Sequence, residues 1–249
     1  MKTTSEQIAQ LQEIIDQSQH LVFFGGAGVS TESGIPDFRS SKGLYMQDLG
    51  YQVAAEEIIS HTFYKQHPKT FFDFYFKHLV FPDAQPNPCH QYLANLESAG
   101  REVTIITQNI DGLHQKAGSQ VVYELHGNVY RNYCEAAHHY YDYADLVRDE
   151  EGVPHCPEDH SIVKPDIVLY EEALDEMQLL GAIRAIQRAD VMIVAGTSLS
   201  VYPAAGLIDY FHGKHLVVIN RSTLNLSAKE ALVFQASVGA IFSHLTLSK

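Results

Sequence analysis

Apolar positions in this chain follow two rhythms. Between residues 4 and 18, Ile8, Leu11, Ile14 and Ile15 recur three and four apart, so an amphipathic first helix is expected. Beyond it come five short apolar runs, at residues 21–24, 103–106, 121–125, 191–195 and 215–219. Each is too short for a typical helix and rich in β-branched residues. Several lack polar alternation, as strands buried on both faces of a parallel sheet do. Helical patterns separate some of them: about 88–99 behind Asn87 and Pro88, about 175–188, and about 203–211 behind Pro203. This alternation predicts an α/β fold with a doubly wound, Rossmann-like parallel sheet.

Each run gives way to small or polar residues. Gly25, Gly26, Ala27 and Gly28 come after the first, and Thr107, Gln108, Asn109, Ile110 and Asp111 after the second. His126, Gly127 and Asn128 come after the third, Gly196, Thr197 and Ser198 after the fourth, and Asn220 and Arg221 after the fifth. The carboxyl ends of the strands line the ligand crevice of an open parallel sheet, so these turns predict one site. A strand entering a Gly-rich turn leaves backbone N–H groups free for phosphate oxygens. The glycines do not follow the G-x-G-x-x-G spacing, and taken alone they are equally consistent with a tight turn that binds nothing.

Two segments break the alternation. Residues 40–82 are rich in Phe and Tyr and look helical; residues 129–165 hold two cysteines, a cluster of histidines and many acidic residues. They are expected to pack together as a small inserted domain. The Rossmann-like domain then comprises residues 1–39, 83–128 and 166–249.

Composition narrows the function. The 249 residues are 45% hydrophobic and 19% charged, an ordinary globular balance. A net charge of −13 argues against nucleic acid as partner, which needs a basic footprint, and is compatible with lysine-rich peptides. No apolar run approaches the ~20 residues that span a bilayer, so no membrane partner is expected. Residues 1–18 lack the apolar core of a signal peptide, and three cysteines do not make a disulfide framework. A soluble, cytoplasmic protein is expected. At the strand ends, one imidazole (His126) with one amide (Asn109) and a nearby carboxylate (Asp111) suggests general-base work on a hydroxyl.

The motifs resemble those of the sirtuins, the NAD-dependent protein deacylases. The matching segments are Gly26-Ala27-Gly28-Val29-Ser30, Ser33-Gly34-Ile35-Pro36-Asp37-Phe38-Arg39, Thr107-Gln108-Asn109-Ile110-Asp111-Gly112-Leu113-His114 and Glu124-Leu125-His126-Gly127. Lys164-Pro165-Asp166-Ile167-Val168, Gly196-Thr197-Ser198-Leu199 with Val201 and Pro203, and Val218-Ile219-Asn220 come next, in the family's order. The resemblance implies removal of acyl groups from lysine side chains of proteins or peptides, giving nicotinamide, O-acyl-ADP-ribose and free lysine. It places the NAD phosphates near Gly26, Ala27 and Gly28 and near Gly196, Thr197 and Ser198. Asn220, with Arg221 beside it, holds the adenosine ribose. Gln108 belongs to the same cofactor set. The nicotinamide enters a pocket of Ile35, Asn109, Ile110 and Asp111. Phe38 shields C1′ of the ribose, and Asp37 and Arg39 belong to the loop over the cofactor. The acyl oxygen attacks C1′ and nicotinamide leaves. His126 then acts as general base on the ribose hydroxyls. An extended substrate pairs with Val168, Leu169 and Tyr170 and with Ser200 and Val201, as in strand addition.

The chain also departs from the family. The family's zinc-ribbon-like segment carries two C-x-x-C pairs, whereas here only Cys134 and Cys156 remain, with Ala137 and Asp159 at the other two positions. Two readings stand side by side. Cys134, His138, Cys156 and His160 could form a Cys₂His₂ zinc site, with His139, His155 and Asp159 as substitutes. Alternatively the module has lost its metal and is held by packing. Many family members show Phe-Gly-Glu where this chain has Tyr170-Glu171-Glu172. Members that favour acidic acyl groups carry a Tyr and an Arg three residues apart; Tyr75 and His78 stand in that frame. A neutral His offers no bidentate fork for a carboxylate, so acetyl or longer apolar acyl groups are expected over succinyl. Two other functions fit the same NAD site. One is an ADP-ribosyltransferase or NAD glycohydrolase, the other a module that senses NAD without turning it over.

Overall fold

The computed structural model describes residues 4–41, 43–224 and 231–247. Residues 1–3, 42, 225–230 and 248–249, which fall within the expected domains, lie outside the described residues. In chain order the elements are α1 (Thr4–Gln17), β1 (His20–Gly25), α2 (Ala55–Ile58), α3 (His61–Gln66), α4 (Pro68–His78), α5 (Pro88–Ser98), β2 (Glu102–Thr107), α6 (Leu113–Ala117), β3 (Val122–Glu124), β4 (Gly127–Cys134), β5 (Tyr140–Asp142), β6 (Val163–Ile167), α7 (Glu176–Arg188), β7 (Val191–Ala195), β8 (His215–Ile219), β9 (Ala231–Phe234) and α8 (Val238–Phe242).

Six strands form one sheet in the order β3-β2-β1-β7-β8-β9, with every pairing parallel. The five expected strands are all present. The sixth, β9, carries too short and too half-buried an apolar run to stand out, with Val233 48% exposed. Residues 204–210 form a 3₁₀ helix rather than the α-helix their pattern suggests.

Both faces of the sheet are covered, which explains the unbroken apolar runs. Leu11, Ile15, Leu93, Ile241 and Phe242 pack with Leu21, Phe23, Ile105 and Ile193 on one face. Ala182, Ile186, Leu207 and Phe211 pack with Val22, Phe24, Met192 and Val194 on the other. The chain leaves β1 in one direction toward β2 and returns on its other side as β7, so the topological switch lies between β1 and β7, where ligands bind in such sheets.

The two inserted segments also fold. Residues 40–82 supply α2, α3 and α4, whose Tyr64, Phe71, Phe72, Phe74 and Tyr75 form an aromatic core with Val129, Val153 and Ile167. The other segment centres on a three-stranded antiparallel sheet, β5-β4-β6. Among the described residues, no helix is long and apolar enough to cross a membrane.

Candidate active site at the sheet switch

The turns after β1 and β7 interlock. Gly26 N–H donates to Ala195 O at 3.0 Å and Gly28 N–H to Gly196 O at 2.7 Å. Gly196 has φ +58°, and a Cβ there would lie 2.4 Å from Val29 N, so neither its conformation nor its surroundings admit a side chain. The contact leaves a small-residue cradle above the switch. From β2, Gln108 Nε2 reaches Thr197 Oγ1 at 3.2 Å and ties the two turns to a third strand end.

Behind the cradle lies a polar knot. Ser30 Oγ donates to Asp111 Oδ2 at 2.6 Å and accepts from Asn109 Nδ2 at 3.1 Å. Asp111 Oδ1 accepts from Leu113 N at 2.9 Å. Burial pushes the Asp111 carboxyl up, opposed by the hydrogen bonds from Ser30 and Leu113. The knot fixes Asn109 and Asp111 at the rear of the cavity.

His126 enters from the other side. Its Nδ1 lies 2.8 Å from Gln108 O. A carbonyl only accepts, so Nδ1 carries the proton and Nε2 holds the free lone pair. Burial lowers the imidazole pKa, opposed by the Gln108 carbonyl, and the ring is a neutral base near pH 7. Its backbone is clamped, because His126 O accepts from Val168 N at 3.0 Å. The next residue, Gly127, has φ +78°, and a Cβ there would lie 2.0 Å from Asp166 O. Only glycine lets β4 start this close to β6.

One cavity of about 500 Å³ joins these parts. Gly26, Ala27, Gly28, Ile35, Asp37, Phe38, Arg39, Gln108, Asn109, Ile110, Asp111 and His126 line it. So do Val168, Leu169, Tyr170, Gly196, Thr197, Ser198, Val201, Asn220, Arg221 and His78. Of the expected substrate residues, Ser200 is exposed and hydrogen-bonded to Ser198 at 2.7 Å but is not part of the lining. Tyr75 is corrected. It is fully buried, stacks on Phe71 at 5.9 Å and belongs to the core of the helical insert. Its neighbour in the frame, His78, does reach the cavity.

At the far end of β4, Cys134, His139, Cys156 and Asp159 gather with their ligand atoms within 4.8 Å of one another. His138 and His160 are not in this group, which corrects the expected Cys₂His₂ set. Each occupies the left-handed position of its turn, φ 54° and 59°, with its N–H bonded to the cysteine carbonyl four residues back at 3.0 Å. The ring of His138 lies beside Tyr133, 5.9 Å between centroids. The group includes instead two of the expected substitutes, His139, one residue later, and Asp159, one earlier. Two sulfurs, an imidazole and a carboxylate suit Zn²⁺, which accepts all three ligand types.

A family model described as the Sir2 family matches residues 26–203. The chain belongs to the Sir2 family. It is 52% identical over 237 residues to an NAD-dependent protein deacetylase of Clostridium perfringens, covering 95% of this chain and 97% of the relative. It is 50% identical over 240 residues to one of Cutibacterium acnes, covering 96% of each. Among solved structures, a Sir2 protein with a p53 peptide and NAD⁺ superposes with a TM-score of 0.81 at 36% identity, covering 98% of this chain and 96% of that one. A second, bound to a propionylated peptide, gives 0.81 at 35% identity and covers 95% of each chain.

Against the Sir2 motifs, two features were not assigned from sequence. Ser30 sits inside the glycine motif, and its link to Asn109 and Asp111 joins segments about eighty residues apart. Tyr45 lines the cavity from the loop after Arg39 and carries no motif at all.

Proposed function

We propose that this protein is an NAD-dependent protein-lysine deacylase that releases nicotinamide, O-acyl-ADP-ribose and free lysine. One observation carries the reading: a neutral, backbone-clamped His126, its Nδ1 held by Gln108 O, lines the cavity that also holds the Asn109–Ser30–Asp111 knot. NAD fits this cavity. The glycine cradle lets its phosphates approach the backbone closely, Asn220 and Arg221 close the adenosine end, and Ile35, Asn109, Ile110 and Asp111 form the nicotinamide end. NAD supplies the ribose C1′ on which the acyl oxygen is captured. Asn109 and Asp111 orient the nicotinamide amide, Phe38 excludes water and departed nicotinamide from C1′, and His126 Nε2 takes the proton of a ribose hydroxyl. Val168, Leu169, Tyr170 and Val201 receive the backbone of an acyl-lysine protein or peptide.

The deciding experiment incubates the protein with NAD and an acetyl-lysine peptide and reads the products by mass spectrometry. O-acetyl-ADP-ribose supports deacylation. ADP-ribosylated protein or free ADP-ribose alone indicates a transferase or glycohydrolase, and tight binding with NAD unchanged indicates a sensor. The presence of His126 favours the first.

The acyl end of the cavity is apolar, lined by Leu44, Ile59, Leu79 and Phe81. Burial and the neighbouring Lys77 push the His78 imidazole pKa down, so it offers no cation to an acidic acyl group. We expect kcat/KM on acetyl- or longer-chain acyl-lysine peptides to exceed that on succinyl-lysine. The reverse order in an acyl panel rejects this preference.

Zinc, held by Cys134, His139, Cys156 and Asp159, would tie together the two turns of the small sheet and supplies no chemistry to the reaction. One zinc per chain is expected by elemental analysis of tag-free protein, lost in Cys134→Ser together with a lowered Tm. Metal-free protein with an unchanged Tm in that variant would leave packing alone to hold the module. The net charge of −13 disfavours nucleic acid as partner, and three free, buried cysteines suit a reducing cytoplasm.

A further inference from the structure

The loop over the cofactor end of the cavity is folded on itself. Leu44 N–H donates to Asp37 O at 2.8 Å and Tyr45 N–H to Phe38 O at 2.9 Å, and the rings of Phe38 and Tyr45 lie 5.2 Å apart. The Arg39 guanidinium rests 5.3 Å from the Tyr45 ring. This compact loop meets the substrate segment at one group. Tyr170 Oη accepts from Arg39 Nη2 at 3.0 Å and shares a hydrogen bond with Tyr45 Oη at 3.1 Å. Burial, reinforced by the hydrogen bond with Tyr170, holds the Tyr45 phenol well above its ordinary pKa, so Tyr45 stays protonated.

Tyr170 is in turn fixed at its backbone. Its N–H donates to Ile59 O at 3.1 Å and its carbonyl accepts from His61 N at 3.0 Å. One residue therefore joins the cofactor loop, the helical insert and the segment Val168-Leu169 that receives the peptide. Many family members have Phe at this position, so the hydroxyl departs from that pattern. A phenylalanine would keep the ring and its packing and lose both bonds.

We propose that the Tyr170 hydroxyl is a positioning group that couples closure of the cofactor loop to seating of the acyl-peptide. This rests on the deacylase reading. A loop held down by a bound dinucleotide steadies Tyr170 and the two residues before it; a seated peptide steadies the anchor to which Arg39 and Tyr45 dock. By linkage, each ligand then tightens the other by the same factor. The Arg39 bond is charge-assisted, so it is the larger part of the effect.

The test measures binding of a fluorescent acetyl-lysine peptide with and without carba-NAD, an analogue whose glycosidic bond cannot break. Carba-NAD is expected to tighten peptide binding in the wild type. Tyr170→Phe is expected to cut that tightening about three- to tenfold, the range for losing one or two such hydrogen bonds. Tyr45→Phe should act in the same direction. The double variant should lose less than the sum of the two, because both phenols belong to one cluster. A purely structural role moves the Tm and leaves the ratio of the two peptide affinities alone. An unchanged ratio in Tyr170→Phe, additive effects in the double variant, or no tightening in the wild type overturns the proposal. If the wild type forms O-acetyl-ADP-ribose while the ratio is unmoved, only this inference fails; if it forms none, the deacylase reading fails first.

Discussion

His126→Ala is expected to lose deacylation by a factor on the order of 10²–10⁴, the cost of removing a general base. The side chain is truncated inside a cavity, so the loss comes from chemistry rather than from a collapsed core. Thermal unfolding should therefore stay close to wild type. The pH profile gives a second readout. Burial lowers this imidazole below its ordinary 6.5, so the base form persists into mildly acid solution. kcat/KM should climb with pH and level off on the acid side of 6.5, and the His126→Ala remnant should lack that inflection. Turnover near wild type in the variant would remove His126 from this role.

The second large effect concerns two histidines that take no part in the chemistry. His90 and His114 are buried with their rings 4.6 Å apart. His90 Nδ1 accepts from Asn87 N at 3.3 Å, but its Nε2 and both nitrogens of His114 have no hydrogen-bond partner among the described residues. Burial lowers the His90 pKa to about 4, and burial together with His90 lowers that of His114 well below 6.5. Both stay neutral in the fold and become protonated in the unfolded chain below about pH 6.5. The unfolded state then binds more protons, so stability is complete above that value and falls as the pH drops. With its pKa at about 4, His90 contributes a slope of about 1.4 kcal/mol per pH unit, or about 2 kcal/mol at pH 5, and His114 adds to it in the same direction. Against a total of about 5–15 kcal/mol, that is a large share. Denaturant unfolding at pH 7.5 and pH 5 should show the difference. His114→Phe, which keeps an aromatic ring against Phe23, should flatten the dependence. Equal stability of the wild type at both pH values would show that the pair is not held neutral by the fold.

The strands were legible because burial on both sides leaves no polar positions, and residues 21–24 and 191–195 show this directly. β9 escaped because its four residues sit at the sheet edge with Val233 in solvent, which erases the pattern. The cavity residues were legible because small and polar types cluster after each strand. Ser30 was missed as a link because a hydroxyl in a glycine-rich turn looks like any turn residue until Asn109 and Asp111 are brought beside it. Of the candidate metal ligands, the structure groups the substitutes His139 and Asp159 with the cysteines, each one position from the first choice. Counting residues does not reveal that His138 and His160 take left-handed backbone, and that geometry sends their neighbours toward the sulfurs. Tyr75 and His78, three apart on α4, differ because the helix buries one and turns the other to the cavity.

The place of β7 between β1 and β8 has a consequence for synthesis on the ribosome. The first half of the cradle emerges within the opening thirty residues, yet its mate, Gly196 to Ser198, arrives about 170 residues later. Until then the growing chain has no nucleotide pocket and is inert toward the cell's dinucleotide pool. Over the same interval one side of β1, with Leu21 and Phe23 flanking an unpaired backbone, stays exposed to other chains. β7 covers that side of β1 when it slots in, and the pocket is completed later still, when Asn220 and Arg221 follow β8.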